Sequence, residues 1–292
     1  MHTPATAAGC ARRSVSGVAD GWALPGIALI DMNRSMNASR IACLLILALI
    51  SLCSAGGAVE KADRPGWKLT FHDEFDGQAM DTQKWNPNDP WGRERNHELQ
   101  AYVTNAFKVK GGILCINTDK RQAFYSGKQR AYTSGMMTTQ GKFSQQYGRF
   151  EIRCRVPKGK GMWPAFWLLP DSLGWPPEID VLEVLGHNPN KVYLTNHFRD
   201  EQKKHGSHGG SWSGPDFSAQ FHEFAVEWSP KAIVWFVDGV ERFRSEKSIP
   251  QGKMYMLVNL AVGGDWPGAP DEKTQFPAAF EVDYVRVYQR VQ

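Results

Sequence analysis

From residue 67 to residue 288 the chain is broken every 8–15 residues by clusters of Gly, Pro, Asn or Asp, and the runs between these breaks alternate apolar with polar side chains. Period-two alternation bounded by turn residues is the pattern of half-buried β-strands, and no run sustains the 3.6-residue period of a helix beyond a turn, the segment 81–85 being the one short candidate. Strands are predicted over residues 67–72, 113–118, 132–138, 148–156, 162–169, 179–185, 192–198, 222–228, 232–237, 254–261 and 280–288. Asp238-Gly239 between two apolar runs predicts a two-residue hairpin turn. So many strands without helices to cover them bury their apolar faces only against one another, so the pattern predicts an all-β sandwich of two packed antiparallel sheets. At 292 residues and 42% hydrophobic content the chain can fill one such core.

One strand carries a pattern that burial alone does not explain. In Glu178-Ile179-Asp180-Val181-Leu182-Glu183 three carboxylates fall within six residues of an otherwise aliphatic run. Glu178 and Asp180 share a face at period two, whereas Glu183, at an odd offset, falls on the opposite face in a regular strand. A β-bulge near Val181-Leu182 returns Glu183 to the face of the other two acids. In that arrangement the outer α-carbons stand roughly 13 Å apart at about 3.3 Å per residue, and the side chains must lean inward to meet across one sugar. A pair of carboxyl groups so placed suits a glycosidase, one as nucleophile and one as proton donor, with Asp180 between them to share a proton and orient. Like charges this close hold at least one proton above its ordinary range. The competing reading, a solvated face of an amphipathic strand, is weakened by the flanks: Trp163-Pro164-Ala165-Phe166-Trp167 upstream and Asn196-His197-Phe198 downstream.

Trp163 and Trp167, four apart in one predicted strand, share a face on which sugar rings can stack, while Phe166 points to the core. His197 follows on the next strand, where a neutral imidazole could touch substrate or tune Glu183, or be a satisfied strand histidine. Trp266 in Gly263-Gly264-Asp265-Trp266-Pro267-Gly268 is expected in a groove wall, because two glycines let the backbone bend close to a ligand.

Over residues 67–288 the chain resembles glycoside hydrolase family 16, in particular its laminarinase-like, endo-β-1,3-glucanase branch. The resemblance rests on Phe71-His72-Asp73-Glu74-Phe75-Asp76-Gly77, Asn96-His97-Glu98-Leu99-Gln100, Tyr147-Gly148-Arg149-Phe150-Glu151, the 163–167 run, Glu178 to Glu183, Phe224-Ala225-Val226-Glu227-Trp228, Asn259-Leu260-Ala261-Val262-Gly263-Gly264 and Val282-Asp283-Tyr284-Val285-Arg286-Val287-Tyr288. It implies a concanavalin A-like β-jelly-roll, Glu178 as nucleophile, Asp180 as its helper, Glu183 as general acid/base, and hydrolysis of β-1,3 or mixed β-1,3/1,4 glucan with retention of configuration. It also implies that Trp163, Trp167 and the Asn96 region, with Arg93 nearby, face the non-reducing end of a groove. A structural calcium on Glu74, the Gly112 carbonyl and Asp283 is a further implication; no organic cofactor is required. The sequence departs from the branch at Trp175-Pro176-Pro177, which stands where many members carry glycine before the first catalytic glutamate. Prolines there stiffen the entry to the cleft. Two alternatives are a hydrolase of sulfated galactans of the agar or carrageenan type, and a lectin-like binding module.

Residues 41–53 form a run of thirteen, apolar but for Ser51 and preceded by Arg34 and Arg40, which reads as a secretion signal beginning near Met36 and ending by Ala58; it is too short to span a bilayer. Residues 1–35 then read as an upstream start or an extension, and 59–292 as a single catalytic domain, exported or periplasmic and monomeric. Cys53 follows Leu52, a poor match to a lipid-anchoring site. Beyond residue 58 the balance is 30 basic against 28 acidic residues, with no basic stripe for nucleic acid. Cys115 and Cys154, each in a predicted strand, could pair in an oxidising compartment or stay as buried thiols. The glycine-rich stretch 199–217, with Lys203, Lys204, His205 and His208, is read as a long solvated loop, a metal or anion site being the alternative.

Overall fold

The computed structural model describes residues 64–291, so the leader read over residues 36–58 lies outside the described residues. In chain order the strands are β1 (Trp67–Asp73), β2 (Gln100–Tyr102), β3 (Phe107–Lys110), β4 (Ile113–Thr118), β5 (Ala123–Tyr125), β6 (Lys128–Arg130), β7 (Tyr132–Ser134), β8 (Met136–Thr138) and β9 (Gly148–Arg155). They continue as β10 (Met162–Pro170), β11 (Glu178–Val184), β12 (Lys191–Arg199), β13 (His205–Ser213), β14 (His222–Trp228), β15 (Ile233–Val237), β16 (Val240–Ser245), β17 (Met254–Val262) and β18 (Ala278–Arg290). A single short 3₁₀ turn, Thr104–Ala106, is the one helical element among the described residues. The segment 81–85 makes only a turn, with Lys84 and Trp85 N–H groups donating to the Asp81 carbonyl.

Two antiparallel sheets form the jelly-roll sandwich. The back sheet runs β16-β15-β14-β9-β18-β4-β3, with β1 also on β18, and the front sheet runs β13-β12-β11-β10-β17-β8. Their facing rows, including Phe150, Ile152, Phe166, Ile179, Val181, Leu182, Val226, Val258, Val285 and Val287, are fully or almost fully buried in one cluster. A smaller cluster of Met136, Leu169, Tyr255 and Leu257 underlies the far side of the front sheet, against Trp91, Tyr102 and Trp167. At the β15–β16 hairpin both Asp238 (φ 50°) and Gly239 (φ 75°) are left-handed, the conformation that a two-residue type I′ turn requires.

The sequence expectation fails at 199–217. This stretch is no open loop: β12 turns over residues 200–204 into β13, which pairs with β12 from Lys191↔Ser213 to Arg199↔His205. Its glycines, which signalled a loop, make room for rings. A Cβ on Gly210 would stand 2.6 Å from the Phe243 ring, and one on Gly206 2.8 Å from that of Phe198, so neighbouring aromatics fill the space a strand side chain normally takes. Cys115 and Cys154 are buried and form no disulfide. β18 lies between their strands, and two interstrand spacings of about 4.8 Å exceed the α-carbon separation a disulfide tolerates.

The bulge falls where the acids need it. Phe166 pairs with Leu182 but Trp167 with Asp180, leaving Val181 as the extra residue, and on the other side Asp180↔Thr195 is followed by Glu183↔Tyr193. A bulge frees backbone groups from the ladder, and a buried carbonyl without a donor is costly. Here the Trp235 indole of β15 reaches across the sandwich and donates to the Asp180 carbonyl at 2.8 Å, both residues being buried. Replacing Trp235 by Phe, which keeps most of the ring but not the donor, is expected to lower unfolding stability by about 1–3 kcal/mol in urea titration.

Candidate active site

With the bulge in place, Glu178, Asp180 and Glu183 all line one cleft of about 590 Å³ over the front sheet, within the size range of sites that enclose small ligands. Across β12 their partners in register are His197, Thr195 and Tyr193. Each outer carboxyl is held by an indole: Trp175 Nε1 donates to Glu178 Oε2 at 2.8 Å, and Trp163 Nε1 donates to Glu183 Oε1 at 3.0 Å. Asp180 is almost wholly buried between them, with His197 Nε2 3.1 Å from its Oδ2 and 3.8 Å from Glu178 Oε1.

Burial of the carboxyl, and then the charge of Asp180, push Glu178 well above the usual carboxylate range, with the Trp175 N–H pulling the other way. The same two causes raise Glu183 well above that range, opposed by the Trp163 N–H. Desolvation disfavours the charged form, and an adjacent carboxylate disfavours it further. The site therefore holds protons where two isolated carboxyls in water would have lost them, with Asp180 placed so that its charge acts on both outer acids.

The far wall of the cleft rises from the connection between β1 and β2. Trp91 stacks on Trp167 with ring centroids 6.0 Å apart, and the Arg95 guanidinium covers Trp91 at 4.3 Å. Arg95 is anchored in turn on Asp89 at 3.2 Å, which also accepts from Tyr125. Trp167 Nε1 donates to Asn259 Oδ1 at 2.7 Å, Asn259 donates to the Tyr102 hydroxyl at 3.2 Å, and Tyr102 donates to Glu98 Oε2 at 3.3 Å. Burial raises Glu98, against hydrogen bonds from Gln100, Asn96 and Tyr102 and the charge of Arg95.

Of the residues singled out from sequence, the three acids, Trp163, Trp167, Asn96 and Arg93 line the same cleft. His197 stands beside Glu178 and Asp180 rather than beside Glu183, since its register partner is Glu178. Trp266 packs edge-on against Trp163 and Tyr193, with centroids 5.4 and 4.7 Å away, at the Glu183 end. Trp91, Tyr102, Trp175, Tyr255 and Asn259 also line the cleft and had not been singled out as site residues. For Asn259 the signal was available: it alternates with Leu260 on β17, so it had to share the face of Ala261.

Glu178, Asp180 and His197 can bring one ligand atom each within 4.8 Å of one another, the sole such trio among the described residues. The contacts above already set an imidazole nitrogen between the two carboxyls of this group. The trio expected to hold calcium is arranged differently. Glu74 gives both carboxylate oxygens to Arg286 at 2.8 Å, and Asp283 pairs with Arg153. Gly112 lies near Asp76 Oδ1 and the Glu74 carbonyl. With both carboxylates neutralised by guanidinium groups, this donor set fits a hard dication poorly.

Paired acids on the bulged strand of a jelly roll, in an aromatic-walled cleft, define the class: a glycoside hydrolase. Residues 95–286 match the family model described as glycosyl hydrolases family 16. The chain is 39% identical to a β-glucanase of Rhodothermus marinus over 276 residues, covering 85% of this chain and 94% of that one. It is 37% identical to an endo-1,3-1,4-β-glycanase of Rhizobium meliloti, over 77% of this chain and 52% of that protein. The solved laminarinase catalytic domain of Thermotoga maritima superposes with a TM-score of 0.70 at 37% identity, covering 77% of this chain and 99% of that domain. The chain belongs to glycoside hydrolase family 16 and acts on O-glycosyl bonds.

The raised acids have a stability consequence whose sign is fixed. An unfolded glutamate releases its proton at about pH 4.3. The folded site keeps it to higher pH, so this site's contribution to stability is full below that value and declines as pH rises toward the folded pKa values. Glu178→Gln and Glu183→Gln are therefore each expected to raise the thermal midpoint at pH 7, with the gain shrinking as the pH is brought down to 4. Equal midpoints at both pH values would contradict the raised acids.

Proposed function

We propose that this chain is a retaining endo-β-glucanase that cleaves internal β-1,3 or mixed β-1,3/1,4 linkages outside the cytoplasm. One observation carries the reading: a single inserted residue brings Glu178 and Glu183 into one cleft, each with an indole N–H on one oxygen. In the first step a Glu178 oxygen attacks the anomeric carbon as the glycosidic C–O bond breaks, and Glu183 gives its proton to the departing oxygen. In the second, Glu183 takes a proton from water as that water attacks the same carbon, and Glu178 is released as carboxylate. Asp180, whose charge acts on Glu178, steadies that carboxyl while the charge there falls and returns.

The Rhodothermus relative is described as a β-glucanase and the Rhizobium one as an endo-1,3-1,4-β-glycanase, which supports the substrate class and the linkages. A keratan-sulfate endo-1,4-β-galactosidase of Sphingobacterium multivorum, 30% identical, keeps a sulfated-galactan reading in view. Against it, only two arginines line the cleft among the described residues, and one of them, Arg95, is already paired with Asp89, which leaves Arg93 alone, whereas recognition of a sulfated polymer needs several cations free to bind it.

Reducing-end release from laminarin, lichenan, agar and carrageenan, followed by proton NMR, is the test. Laminarin or lichenan should be cleaved, with the β-anomer appearing first. Glu183→Gln should lower kcat by about 10²–10⁴-fold, and Glu178→Ala should leave no measurable turnover. Early release of the α-anomer, or near wild-type activity in either variant, would overturn the assignment.

A further inference from the structure

His197 Nδ1 faces His205 Nε2 at 2.9 Å, a gap that holds one proton. On its other side His197 Nε2 faces Asp180 Oδ2 at 3.1 Å. That oxygen is shut off from solvent and has no hydrogen-bond partner among the described residues, so the His197 nitrogen is the group that stands where a donor is needed. Were His197 to carry its proton on Nδ1 alone, an imidazole lone pair would confront a buried carboxylate oxygen, two acceptors with nothing between them. The proton therefore belongs on Nε2. A neutral His197 protonated there has a lone pair at Nδ1 and needs a donor, which His205 Nε2–H supplies. A doubly protonated His197 needs an acceptor instead, and the other tautomer of His205 supplies that.

We propose that His205 is a positioning residue: it keeps a proton on His197 Nε2, directed at Asp180, so that the Asp180 carboxyl is held beside that of Glu178. The second imidazole is itself held in place. The two rings lie 24° from parallel with centroids 5.1 Å apart, and the Trp175 indole lies 4.8 Å from His205. Trp175 donates to Glu178, and its carbonyl accepts from Arg199 at 2.6 Å. One aromatic residue thus ties the imidazole pair to the acid that the pair serves. The His197–His205 and Trp175–Glu178 links are hydrogen bonds, the Trp175–His205 link is ring packing, and His197 Nε2 is in close polar contact with Asp180; orientation by an outer partner is how imidazoles are given a defined tautomer.

The kinetic part of this inference rests on the glycosidase reading, and the spectroscopic part does not. His205 is exposed at the start of an edge strand, so its replacement leaves the core untouched. Long-range ¹H–¹⁵N correlation spectra of the ¹⁵N-labelled full chain should show His197 protonated on Nε2. In His205→Leu, which offers neither donor nor acceptor, the signal should move toward the Nδ1–H form. In His205→Gln, whose amide can donate to Nδ1, it should stay. On whichever glucan the wild type cleaves, His205→Leu should lower kcat about tenfold with KM changed by less than about twofold, as expected for lost orientation, and His205→Gln should recover most of the loss. A bare Nε2 on wild-type His197, an unchanged spectrum in His205→Leu, or wild-type kcat in that variant would overturn the proposal. If the wild type cleaves no polysaccharide, the glycosidase reading fails while the spectra still decide the proton's position.

Discussion

A single hydrogen bond through the middle of the sandwich, from the Trp235 indole to the Asp180 carbonyl, underlies the geometry of the site. A regular strand has no need of it, because its carbonyls are satisfied by the ladder. At the bulge one carbonyl turns inward, and only a donor projecting from the opposite sheet can meet it. The back sheet, which contributes no residue to the cleft, thereby fixes the register in which the front sheet presents its acids. Core packing and chemistry meet in one residue, whose side chain faces the groove while its backbone is held from below.

Around that anchor the acids are graded by what touches them. Glu178 and Glu183 each have an indole donor on one oxygen and cleft space on the other side, whereas Asp180 is enclosed among Glu178, His197 and the strand. The difference follows from position in the bulge: the central acid lies at the floor, the outer two toward the ends. Desolvation works against ionisation of the outer pair, and one indole N–H opposes it at each. The balance is the kind that acid–base chemistry at mild pH requires, set by surroundings rather than by residue type.

Much of this was legible in the residues. The odd spacing of Glu183 required an inserted residue, and the structure has it at Val181; the i, i+4 pair Trp163 and Trp167 required a shared face, and both line the cleft. What stayed hidden depends on partners distant in sequence. The strand β13 was missed because its glycines serve ring packing from Phe198 and Phe243, which no local pattern records. Trp91 gave no periodic signal, since it sits on a connection and is defined only by its stack on Trp167. The pairing of Glu74 with Arg286 follows from the register of β1 on β18, in which His72 sits opposite Arg286, and register cannot be read from either strand alone.

The two walls of the cleft have unlike origins. The acids and Trp163 sit on a ladder clamped on both sides, while Trp91, Arg95, Asn96 and Glu98 stand on the connection between β1 and β2, which meets the front sheet at separate points: the Asn86–Thr138 backbone pair, the Leu99 N–H on the Val262 carbonyl and the Trp91–Trp167 stack. Variation in that connection can reshape the groove without disturbing the bond-breaking pair. Descendants of such a scaffold are thus free to change how long a polymer they grip while inheriting the same chemistry, because recognition and reaction are encoded in separate stretches of chain.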